Sequence, residues 1–188
     1  MKMINKYLGF LVILGICASC GDASNSDFKA AEISGGGDKE VIRFVLDASS
    51  LPHDGDFKLI DEADALTGKV LEIPGGIKTE TNLPTGSIQV EVPDISAEPL
   101  HMWLRVYWTE VCSNSFTLEI PNEPPMVIGE DEVYLTWHWI KVADLELKAG
   151  QTYKLTARED NLKVDQILFT NEPDYQPAGH EKTKETAQ

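Results

Sequence analysis

From residue 41 onward, apolar residues recur in short runs separated by Gly, Pro, Asn and Asp. Alternation with a period of two marks a strand with one face buried, and turn-forming residues between such runs divide one strand from the next. The pattern predicts strands over 41–48, 57–60, 68–73, 87–92, 100–110, 115–120, 133–147 with a break inside it, 152–158 and 164–169. Within 100–110 the alternation also assigns faces. Leu100, Met102, Leu104, Val106 and Trp108 lie on one side, and His101, Trp103, Arg105, Tyr107 and Thr109 lie on the other. No stretch holds a helical period long enough for a long helix. Many short strands with turn signals between them predict an all-β domain, a sandwich or a barrel.

The first twenty residues, MKMINKYLGFLVILGICASC, break this pattern. Lys2 and Lys6 precede a nearly continuous apolar run from Leu8 to Ile16, and small residues Ala18 and Ser19 follow. A positive start, a short apolar centre and a small-residue end are the three parts of a secretory signal. The run is shorter than the roughly 20 apolar residues of a spanning helix, and its flanks do not match a capped, buried helix. Ala18-Ser19-Cys20 also resembles a bacterial lipobox, which implies a lipid on Cys20 and a membrane-anchored product of the cell envelope, at the outer membrane or cell surface. Cleavage without acylation would give a secreted product instead. Residues 21–39 are small, polar and Gly-rich, the composition of a flexible tether. The expected organisation is therefore a signal at 1–19, Cys20 and its tether at 20–39, one domain at 40–176, and a polar tail at 177–188.

Charge narrows the partners. The chain carries 16 Lys+Arg against 31 Asp+Glu, a formal charge of −15. Two lysines and no acid leave with the signal, so the mature chain stands at −17. Nucleic-acid binding needs a basic surface, so no nucleic-acid partner is expected. A neutral ligand or a divalent cation suits the balance better. Of three cysteines, Cys17 falls in the signal and Cys20 at its end. Cys112 is then alone in the domain, without a partner for a disulfide and without a neighbouring His or base in sequence to activate it.

Aromatic chemistry concentrates in the central third. All four tryptophans, Trp103, Trp108, Trp137 and Trp139, lie within LHMWLRVYWTEVCSNSF and YLTWHWIKV. Alternation puts Trp103, Arg105 and Tyr107 on one face of their strand and Trp137 with Trp139 on one face of theirs. Flat aromatic faces suit the apolar C–H face of a sugar ring, with Arg, Asn and acids left to bond the hydroxyls, the usual mix of an apolar floor and a few placed polar groups. The bulk of a sandwich's tryptophans lie in its core, so the same residues are candidates for that too. Trp103, Arg105, Tyr107, Asn114, Trp137 and Trp139 are the candidate ligand-binding set. His138 projects opposite to both of its tryptophan neighbours and is expected at the surface.

The stretch YLTWHWIKVADLELKAGQTYKLTAREDNLKVDQILFTNEPDYQPAG resembles the C-terminal half of galactose-binding-like jelly-roll domains related to carbohydrate-binding module families 6 and 35. The matching elements are Trp137 and Trp139, the turn from Leu145 to Gly150, Arg158-Glu159-Asp160, and Val164-Asp165-Gln166-Ile167-Leu168. Trp103-Leu104-Arg105-Val106, Ser113-Asn114-Ser115-Phe116 and LTGKVLEIPGG at 66–76 extend the likeness to about 41–176. The resemblance implies a jelly-roll β-sandwich, a glycan or polysaccharide as partner, and a structural calcium between the first strand and a C-terminal acid. The corresponding acids are Asp47 and Asp165. The first strand, Val45-Leu46-Asp47-Ala48-Ser49, carries one acid where those families have Glu-Ala-Glu.

Nothing in the sequence has the order or context of a catalytic triad or a phosphate loop; GGGDKE at 35–40 lacks the strand–helix setting of a dinucleotide site. Arg158-Glu159-Asp160 sits in a turn and is expected to form surface or fold-supporting ion pairs. The expected function is non-catalytic carbohydrate binding by an envelope lipoprotein. A structural or protein-interaction sandwich without a sugar site is the alternative, and a polysaccharide-processing enzyme stands third.

Overall fold

The computed structural model describes residues 41–94 and 99–183, with side chains given for all of these but 143–146. The signal, Cys20, the tether and the last five residues of the tail lie outside the described residues, and so does the lipidation expected at Cys20.

Ten strands follow one another: β1 Arg43–Asp47, β2 Lys58–Asp61, β3 Lys69–Ile73, β4 Ser87–Glu91, β5 Leu100–Trp108, β6 Ser115–Glu119, β7 Met126–Gly129, β8 Trp137–Leu147, β9 Thr152–Ala157 and β10 Leu162–Thr170. A single 3-10 turn, Ala48–Ser50, is the one helical element among the described residues. The strands form two antiparallel sheets. One has the order β2-β3-β10-β5-β8, with β1 also paired to β10, and the other has the order β4-β9-β6-β7. This is the all-β jelly-roll sandwich that the alternation and the family resemblance predict.

The core lies where the two inner faces meet. Leu100, Met102, Leu104, Val106 and Trp108 of β5 are all fully buried, as the alternation requires. They pack with Leu162, Val164, Ile167 and Phe169 of β10 against Ile88, Val90, Phe116, Leu118, Tyr153 and Leu155 of the other sheet. Trp108 and Phe116 meet across the interface at 5.6 Å and 55°, within the tilted geometry that aromatic pairs favour.

Two departures from the expected strands have local causes. The run 133–147 becomes a strand at Trp137 because Glu132 and Leu135 take positive φ of 62° and 57°, which turns the chain before β8. Strand β7 was not expected: it is four residues long and follows Pro124-Pro125, which reads as loop. In β10 the buried parity shifts from Leu162 and Val164 to Ile167 and Phe169, and the register on β5 slips between Val164 and Gln166. Asp165 is the extra residue of a β-bulge, which re-aims side chains out of the ladder.

Candidate functional site

The outer face of the six-stranded sheet gathers most of the predicted set. On β5, His101, Trp103, Arg105 and Tyr107 point away from the core. The register sets Tyr107 opposite Trp137, Arg105 opposite Trp139, and Trp103 opposite Lys141. The Tyr107 and Trp137 rings stand 5.5 Å apart at 60°, and the Arg105 guanidinium lies 4.7 Å over the Trp137 ring. Trp103, Tyr107, Trp137 and Trp139 are each half-buried. Trp108 alone of the four tryptophans is core, with its indole N–H donated to Asp131 at 3.1 Å.

Arg105 is fixed from beneath. It is 6% exposed, it donates to Asp165 Oδ2 at 2.5 Å, and it donates to the Asp64 carbonyl at 3.2 Å. The bulge in β10 brings Asp165 there. Burial pushes the Asp165 carboxyl above the usual range, against the opposing pull of Arg105, the Leu66 amide and His180. On the far side of Tyr107, Lys163 Nζ stands 5.5 Å from the ring centre and 2.6 Å from Glu62. The hydrogen bond from Lys163 holds the Glu62 carboxyl below the usual range. Charged groups thus frame the aromatic pair on both sides.

A segment after β10 returns across this face. Trp139 donates its indole N–H to the Gly179 carbonyl at 3.0 Å, and Lys141 donates to the Pro173 carbonyl at 3.3 Å. Gln166 and the Glu181 backbone exchange two hydrogen bonds, at 2.9 and 3.2 Å. His180 Nε2 lies 2.9 Å from the Asp64 carbonyl and 3.7 Å from Asp165. Sequence composition marks 177–188 as a tail, and nothing in it signals that residues 177–183 would lie on the sheet.

Asn114 is not part of this face. It is buried in the turn before β6, where its amide N–H donates to Glu159 at 2.9 Å and its side chain meets Tyr134 Oη at 3.3 Å. Arg158-Glu159-Asp160 makes the fold-supporting pairs expected of it. Burial alone would raise Glu159, but the Asn114 amide, the Ser115 hydroxyl and Lys78 together hold it below the usual range. Asp160 accepts from the amides of Ile77 and Lys78 at 2.7 and 2.8 Å. His138, expected at the surface, is half-buried on the core side. Its ring meets Trp108 edge-on at 6.1 Å, and its Nε2 lies 2.8 Å from Asp131. Cys112 is a free, exposed thiol in a loop.

Asp47 and Asp165 do not make the calcium site the resemblance implies. Asp165 accepts from the Leu66 amide on one oxygen and from Arg105 on the other, so a guanidinium lies where a cation would. Asp47 caps the 3-10 turn by accepting from the Ser49 amide at 2.9 Å. No group of three or more His, Cys, Asp or Glu converges among the described residues, whereas calcium takes six to eight oxygens. These residues do not fit the ion.

No protein-family model and no curated protein matches the chain by sequence. Among solved structures, the fold is similar to an exo-β-1,3-galactanase from Phanerochaete chrysosporium, with a TM-score of 0.50 and 13% identity over 68% of this chain. The match spans 29% of the galactanase, less than a third of that protein. It is also similar to the C-terminal family 6 carbohydrate-binding module of a laminarinase from Zobellia galactanivorans, with a TM-score of 0.49 and 12% identity over 68% of this chain and 98% of the module. A family 35 carbohydrate-binding module from Clostridium thermocellum gives 0.45 and 14% over 68% and 96%. At these identities the likeness is one of fold alone, that of a two-sheet antiparallel β-sandwich.

Proposed function

We propose that this domain is a non-catalytic saccharide-binding module of the cell envelope. The observation that carries the reading is the outer sheet face. Trp137 and Tyr107 stand half-exposed side by side, with Arg105 locked beneath and Lys163 and Glu62 at the rim. Rings held by a sheet lose little freedom on binding, and charged groups at their edge can bond hydroxyls. Asp165, the carboxyl that burial pushes upward, faces a guanidinium and not a second carboxylate. That supports binding over acid–base hydrolysis, which needs a pair of carboxyl groups flanking the bond. The affinity expected of a few stacked and partly exposed contacts is on the order of micromolar to millimolar. A glycan-array screen of the mature chain should return at least one saccharide class. An array without a hit at millimolar saccharide would transfer the reading to a protein-interaction domain. Val111 and Leu135, each 68% exposed, would then be the first residues to test.

The reading places the domain outside the cytoplasm on a lipid at Cys20, on the strength of Ala18-Ser19-Cys20 and the apolar run before it. Several acyl chains on one residue would hold it firmly, at about 0.8 kcal/mol per buried CH₂. Mass spectrometry of the membrane fraction should find an acylated Cys20. A soluble product beginning at an unmodified Cys20 would contradict the anchor.

A further inference from the structure

Three residues of β10 should be open to solvent and are not. Gln166, Leu168 and Thr170 pair with Arg105, Trp103 and His101 and therefore share their outer face. All three are nonetheless 0% exposed. The returning chain supplies the cover. Its contacts place Gly179 over β8, Glu181 over β10, and Thr183 at β1, where the Thr183 hydroxyl bonds both the amide and the carbonyl of Val45, while His180 reaches the Asp64 carbonyl in the β2–β3 loop and lies 3.7 Å from Asp165 of β10. Strands lie about 4.8 Å apart, so the three steps from β8 to β1 span about 14 Å, close to what the four residue steps from Gly179 to Thr183 reach when extended. The segment therefore runs nearly straight across the strands.

The cover fits its floor incompletely. Trp103 Nε1 and His101 Nδ1 are both buried without a hydrogen-bond partner. Buried polar groups are normally satisfied, and each one left unpaired carries a desolvation cost. By contrast, most of the strap's own bonds are at exposed or half-exposed positions. Its internal clasp is the Glu181 carboxylate, which accepts from Tyr175 Oη at 2.8 Å and from the Ala178 amide at 3.0 Å.

We propose that residues 177–183 are a displaceable internal occupant of a binding groove. The groove is floored by Trp139 and Gln166, which the segment bonds directly, and takes an extended, neutral chain running across the strands. The saccharide identity of that chain rests on the function proposed above; the displacement does not. A chain that replaces the segment can extend along the same outer face to Trp103 Nε1 and His101 Nδ1, which no group of the fold bonds. While the strap is seated, apparent affinity falls by the fraction of molecules that are open, so a strap closed about nine times in ten weakens binding about tenfold.

The test compares the full mature chain with one ending at Gln176. Exchange of the Trp139 indole N–H is the first readout. It should quicken in the shortened chain and slow again when a synthetic peptide of residues 177–188 is added at millimolar concentration. If the peptide leaves exchange unchanged, the proposal is overturned. If the shortened chain does not fold, Glu181→Ala in the full chain takes its place, with quicker exchange expected and unchanged exchange overturning the proposal. The second readout is binding of long cello- and laminari-oligosaccharides. The shortened chain should bind about tenfold more tightly than the full chain, and equal affinity would show that the strap competes with nothing. Peptide protection without binding of any saccharide would keep the displaceable strap and remove the saccharide reading.

Discussion

Arg105 and Asp165 form the buried pair on which the aromatic face is set. Asp165 is 0% exposed and Arg105 6%, so neither charge has water to fall back on. Replacing one partner leaves the other uncompensated, and Arg105→Met should cost about 3–5 kcal/mol at neutral pH. Burial already pushes the Asp165 carboxyl upward, and Arg105 is the first group opposing it. Without the guanidinium the carboxyl rises further. A group whose folded pKa exceeds its unfolded value gives its full stability below the unfolded value and loses it as pH rises through the folded one. The deficit of Arg105→Met should therefore shrink between about pH 7 and about pH 4 in denaturant titrations. A deficit that stays constant with pH would show that Asp165 finds another partner. Glu159 runs the other way. Its folded pKa is depressed, so its stabilisation is present above the ordinary carboxylate range and is lost as pH falls through the folded value. Glu159→Gln should cost about 1–3 kcal/mol at neutral pH, with the gap to the wild type closing in acid.

At the scale of elements, much was legible because one-sided burial writes itself as alternation. The two faces of β5 follow directly from Leu100 to Thr109, and the pairing of Trp137 with Trp139 on one side of β8 follows from their spacing. The bulge at Asp165 was not legible, because Ile167-Leu168-Phe169 is a continuous apolar run whose parity is undefined in sequence, and only the register on β5 shows the slip. Asn114 could not be placed from sequence, because its position depends on Glu159, which is 45 residues away in the chain. Strand β7 was hidden by its length and by the prolines before it, and its seat on β6 depends on a glycine. Gly129 has φ of 105°, and a Cβ there would lie 2.3 Å from the Asn114 carbonyl oxygen. Gly129→Ala should destabilise the domain by about 1–3 kcal/mol through strain alone, read as a drop in the denaturation midpoint. An unchanged midpoint would mean that β7 detaches without consequence.

For the molecule as a whole, the sandwich presents one sheet face that is aromatic, charged at its rim and partly covered by its own chain. The cover was invisible in the sequence because residues 177–183 carry no apolar periodicity. They are held by backbone carbonyls and by Gln166, which any polar segment could satisfy. The pairing of the two antiparallel sheets fixes the architecture, and the outer face supplies the case for a ligand. Trp137 tests that case most directly. It is half-buried, in tilted contact with Tyr107 and against the Arg105 guanidinium, and outside the core, so Trp137→Ala should cost about 0.5–1.5 kcal/mol of stability. Titrating wild type and Trp137→Ala with the best saccharide from the array, by calorimetry, should show at least about a tenfold loss of affinity, which is 1.4 kcal/mol, with the melting temperature lowered by only a few degrees. Wild-type affinity in a folded Trp137→Ala would contradict the placement of the site on this face.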